Sequence, residues 1–107
     1  MEARKRQIEN YLSPDGKDCF QRWLHTIRDD KAKNAIRIRL SRAKEGNLGD
    51  VKSLGGGVHE LRIPIGQGYR VYFGEDGDTI VLLGGSQKDD QENQIKLARD
   101  RWSEYNA

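Results

Sequence analysis

Six residues in the middle and later part of the chain carry the groups that phosphate chemistry needs: Lys52, Glu60, Arg62, Arg70, Tyr72 and Lys88. Arginine offers a planar fork of donors that fits two phosphate oxygens, lysine a compact positive charge, and tyrosine either a stacking ring or a hydroxyl. Cleavage of RNA by its own 2′-hydroxyl asks for cations near the charge that builds on the phosphorus. It also needs groups that take one proton from the nucleophile and give another to the leaving oxygen. Glu60 or a lysine is the candidate base. The alternative is a solvated charged face with no ligand at all.

Strand parity places these residues. In VHELRI, Leu61 and Ile63 share one parity while Glu60 and Arg62 share the other; in YRVYF, Val71 and Phe73 oppose Arg70 and Tyr72. If Ile63 and Tyr69 close a five-residue loop, antiparallel pairing sets Arg62 opposite Arg70 and Glu60 opposite Tyr72. Like charges directly opposed destabilise a strand pair. The sheet then either leaves both arginine heads in water or uses them jointly on an anion. TIVLLGG follows as a third run, continuous in Ile80 to Leu83, which predicts a central strand covered on both faces. Lys52 enters this sheet and Lys88 leaves it.

The preceding segments read as helix. Arg6 to Leu12 forms a short edge strand. Ser13-Pro14-Asp15 carries start signals for a first helix with Phe20, Trp23, Leu24 and Ile27 on one stripe. Asp29-Asp30 starts a second helix, with Ala32, Ile36, Leu40 and Ala43 inward, that ends at Gly46-Asn47. The short link predicts a helical hairpin covering the sheet. Gly74 to Asp78 reads as a turn. Ile95, Ala98, Trp102 and Tyr105 then mark a closing amphipathic helix, expected to pack on the sheet.

Composition limits the possibilities. A chain of 107 residues is expected to form one domain, 1–107, burying roughly two-thirds of the surface that it exposes when unfolded. Net charge is only +2, but the run from Lys31 to Gly46 holds six cations, Arg42 among them, against one acid. That run adds Arg42 to the candidate substrate contacts. His25, His59 and Cys19 stand apart, with no metal-ligand spacing, and neither GGG nor GQG continues into a phosphate-binding loop. No metal or cofactor is expected. With no apolar run near the roughly 20 residues of a membrane span, no leader-like opening and a single cysteine, the expected compartment is the cytoplasm.

The segment order then becomes recognisable: F-x-x-W-L on the first helix, R-I-R-L-S-R and G-N-L-G-D-V-K on the second and its exit, then G-V-H-E-L-R-I, G-Y-R-V-Y-F and V-L-L-G-G. From about Phe20 to Ala98 this resembles the RelE/ParE superfamily of bacterial toxins, within it the HigB-like branch of addiction-module killer proteins. The resemblance implies an α+β fold, with an N-terminal helical hairpin on a small twisted antiparallel sheet and a C-terminal helix. It implies a type II toxin–antitoxin system in which the toxin is a metal-independent, ribosome-dependent mRNA endonuclease. Its partners would be the ribosome, mRNA and a cognate helix-turn-helix antitoxin, which would cover the basic surface or hold the C-terminal helix; no membrane is involved. Family active-site positions fall on Lys52, Arg62, Arg70 and Lys88. The ParE branch, which inhibits DNA gyrase on a similar scaffold, supplies the alternative.

Overall fold

The computed structural model of the protein describes residues 4–107. It is an α+β fold in which five strands form one sheet of order β1-β5-β4-β3-β2. In chain order the elements are β1 (Gln7–Asn10), α1 (Cys19–Thr26), α2 (Asp30–Lys44), β2 (Val51–Gly55), β3 (Val58–Ile63), β4 (Tyr69–Asp76), β5 (Thr79–Gln87), a 3₁₀ turn (Lys88–Asp90) and α3 (Gln91–Tyr105). Among the described residues no helix is long and apolar enough to cross a membrane.

The sheet corrects the expected antiparallel arrangement, because β1 runs parallel to β5, with Gln7 beside Thr79 and Asn10 beside Leu82. β1 lies at the edge, as its short run predicts. Parallel neighbours need a long crossover, and here α1 through β4 supply it. The register of the central pair is the expected one: Arg62 faces Arg70, Glu60 faces Tyr72 and Ile63 faces Tyr69. At the other edge Val51–Gly55, which the sequence pattern assigns to no strand, is a strand paired to β3. Its two-residue connection, Gly56-Gly57, has φ of +64° and +84°, the left-handed conformation that a primed hairpin turn demands and glycine supplies without strain.

α1 starts later than Ser13-Pro14-Asp15. Those residues make a turn in which Ser13 N–H donates to Lys17 O (2.9 Å) and Lys17 N–H to Ser13 Oγ (2.9 Å). Asp18 is the cap instead, accepting from the Gln21 N–H. α2 begins as predicted, with Asp29 accepting from Lys31 N–H. The two helices pack on the sheet, α1 over β5 and α2 over β3.

Both faces of the sheet are covered. On one, Phe20, Leu24, Ile27 and Ile36 meet Leu61, Val71, Phe73, Ile80 and Leu82. On the other, Ala98, Ile95, Trp102 and Tyr105 of α3 meet Val58, Tyr72, Val81 and Leu83. β5 is thus enclosed above and below, as its continuous apolar run predicts. Polar ties fix α3 in place: Tyr11 donates to Glu104 (2.7 Å), Tyr105 to Asp76 (2.7 Å) and Arg101 to the Leu83 carbonyl (2.8 Å). Trp102 lies flat on Gly74, where an added Cβ would sit 2.3 Å from the ring. Gly74→Ala should therefore lift α3 and lower stability by about 1–3 kcal/mol, measurable as an earlier chemical denaturation midpoint. An unshifted midpoint would mean that Trp102 is not seated on the sheet.

Candidate functional site

The apolar sides of β3 and β4 must face α1 and α2, so Arg62 and Arg70 are forced onto the opposite side, next to each other. Each is met by a carboxylate. Arg70 Nε lies 2.5 Å from Glu60 Oε1, with the Glu60 side chain 1% exposed and that of Arg70 18%. Those two atoms are enclosed yet out of line for a hydrogen bond, so the contact is an ion pair first. Arg62 Nη2 donates to Asp50 Oδ1 at 3.0 Å, and this second pair is about half exposed on each side. The arginines therefore neither splay into water nor share one anion at rest.

Around them lies a cleft of about 390 Å³ at the end of the sheet, lined by Asp50, Arg62, Arg70 and Lys88 together with the β3–β4 loop residues Pro64, Gln67 and Gly68. Three of the four positions implied as catalytic thus come together from three separate segments. Lys88 opens the 3₁₀ turn after β5 and, among the described residues, has no ion-pair partner. Lys52, the fourth, is exposed on the edge strand β2, its backbone opposite Glu60 and outside the cleft lining.

Three expected substrate contacts are placed otherwise. Tyr72 is fully buried under α3, with its hydroxyl 2.7 Å from Ser86 Oγ, so it presents no ring face to a base. Burial pushes its hydroxyl pKa above the ordinary value, against the opposing effect of the Ser86 hydrogen bond, and it stays protonated. Glu60 is enclosed and held by Arg70, which removes it as a free base. Arg42 stands exposed on α2, which covers the other side of the sheet.

Two residues of the site escaped the sequence reading. Asp50 precedes β2, and only the β2–β3 pairing brings it to Arg62. Arg39 of α2 reaches over the sheet edge, donating to the carbonyls of Arg62 and Leu48, the latter at 3.0 Å, and so pins the loop that carries Asp50. Burial depresses its pKa and Asp50 props it up.

The two ion pairs should respond differently to loss of an acid. Glu60→Gln strands a buried guanidinium and should cost about 3–5 kcal/mol, whereas Asp50→Asn should cost less than about 1 kcal/mol. Urea unfolding of the two variants checks this, and equal losses would contradict the assignment of one pair to the interior.

No protein-family model matches the chain. A Haemophilus influenzae protein described as uncharacterized is similar to it, 43% identical over 81 residues, which is 75% of this chain and 82% of that protein.

Proposed function

The chain belongs to one family with that Haemophilus influenzae protein, and we propose that it is an RNA-cleaving toxin of the RelE/ParE type. In this reading it acts on ribosome-bound message and is held in check by a helix-turn-helix antitoxin. The observation that carries it is the convergence of Arg62, Arg70 and Lys88 on one open cleft.

Arg62 is the exchangeable cation. Its pair with Asp50 is exposed and so worth little, and an RNA phosphate offers the same fork a stronger partner. Phosphate displaces the carboxylate and freezes the guanidinium against the scissile group. Arg70, held by Glu60, adds fixed positive charge behind it, where it needs no reorganisation as charge develops. The 2′-hydroxyl attacks phosphorus and the bond to the 5′-oxygen breaks, giving a 2′,3′-cyclic phosphate and a 5′-hydroxyl. Asp50, released at the rim, takes the proton from the nucleophile, and Lys88 gives one to the leaving oxygen.

Translation of a reporter message with purified ribosomes, followed by primer extension, tests this. New 5′ ends are expected with the wild type, and Arg62→Ala should lower their yield by about 10²-fold or more. Asp50→Asn should tighten binding of a non-cleavable 2′-O-methyl RNA by about two- to five-fold, the worth of an exposed pair. A message left intact, or one cut equally well by Arg62→Ala, would sink the reading. The gyrase-directed alternative draws on one observation: burial of Tyr72 and pairing of both arginines leave few free groups in the cleft. It predicts loss of DNA supercoiling by purified gyrase with no ribosome present.

A further inference from the structure

We propose that the outward face of α2 is a second, separate docking surface, and that it grips a double-helical RNA by the phosphates on either side of one groove. The choice of RNA over DNA rests on the function proposed above; the charge geometry does not.

Charge distribution is the first observation. The chain has nineteen cations and seventeen acids, and six of those cations fall between Lys31 and Lys44 with no acid among them. Without that segment the chain carries a net charge of −4. The positive surplus is therefore a property of one helix. Arg39 is spent on backbone carbonyls, and among the described residues none of Lys31, Lys33, Arg37, Arg42 and Lys44 is in an ion pair.

Helix stability does not account for this pattern. Cations near the C-terminus, Arg42 and Lys44, suit the helix dipole, but Lys31 and Lys33 stand in the first turn, where it disfavours them. Lys33 and Arg37 are four apart and repel each other; Asp29 at the N-cap stands four before Lys33, but no acid stands at that spacing from Arg37. The acids of this region sit only at the ends, Asp29 and Asp30 at the start and Glu45 at the C-cap.

Placement is the second observation. At 3.6 residues per turn, Asn34, Ile38 and Ser41 form the outermost ridge, all exposed, with Ile38 45% accessible. Lys33, Arg37 and Lys44 line one margin of that ridge, and Lys31 and Arg42 line the other. The cationic stretch is about 20 Å long. Past Asp30, which opens it, the ridge is uncharged, and an uncharged ridge between two rows of cations matches a groove whose two rims are phosphates. The minor groove of A-form RNA is wide and shallow enough to take such a ridge without deep insertion. An acidic protein would need its carboxylates split into two parallel rows to match the same face.

A blunt RNA duplex of about 20 base pairs and a DNA duplex of the same sequence serve as probes, with binding followed by fluorescence anisotropy against salt. The wild type should bind RNA with log K falling against log salt at a slope of about −3 to −4. The triple variant Lys33→Gln, Arg37→Gln, Arg42→Gln should lose about 2–3 of that slope and at least about ten-fold in affinity. Its thermal midpoint should not fall, since none of the three belongs to the buried core and two of the charges removed repel each other. Lys17→Gln, which removes an exposed cation outside both α2 and the cleft, should bind the duplex as the wild type does. Duplex binding that survives in the triple variant, DNA bound as tightly as RNA, or no binding of either duplex overturns the inference. Loss of message cleavage with duplex binding intact would instead remove the cleft reading and leave this surface standing.

Discussion

Arginine faces arginine across β3 and β4, and much of the site follows from that opposition. The register cannot slip to avoid it, because a shift of one residue would turn Leu61, Ile63, Val71 and Phe73 away from the helices that bury them. Hydrophobic burial thus imposes an electrostatic problem, and two acids solve it unequally. Glu60 goes inside with Arg70 and becomes part of the framework. Asp50 stays at the surface with Arg62, and the pair can open without disturbing the core. One arginine is fixed and the other is available, although their sequence settings are nearly alike.

That inequality was not legible in the sequence, while the register was. Alternation in VHELRI and YRVYF, with a short loop, was enough to pair every residue of β3 with its partner. A covered second face was expected from the run in β5 and the stripe on α3, but burial of Glu60 and Tyr72 was missed because, beside Arg62 and Arg70, they look like a wet surface. The cue was present in Val58 and Gly74, which share their side of the sheet. β2 was missed because VKSLG offers only two apolar residues and a glycine. With β2 unseen, Asp50 had no route to Arg62. The parallel seat of β1 lies beyond local pattern, since nothing in Gln7 to Asn10 names a partner more than seventy positions away.

Both tryptophans lie against the sheet where it lacks side chains. Trp102 covers Gly57 and Gly74 on one face, and Trp23 covers Gly85 on the other. Glycine serves here as space: a flat ring meets flat backbone, and short helices sit close enough to seal strands that a compact core could not otherwise enclose. GGG and GG segments that look like loop punctuation are in part seats for indole rings.

The parallel pairing of β1 with β5 also orders events in time. Of the five strands β1 is made before the others, yet it is completed only by residues 79–82, on the strand made last. Until then β1 has no neighbour, and closing so long a loop carries a large entropic penalty before any contact rewards it. The antiparallel strands β2 to β5 can meet as successive hairpins while the amino-terminal segment waits. The earliest-made of the five strands is thus the last to join the sheet, and a chain cut short before β5 has Arg62 and Arg70 in hand but neither Lys88 nor a sheet edge on which to lay β1.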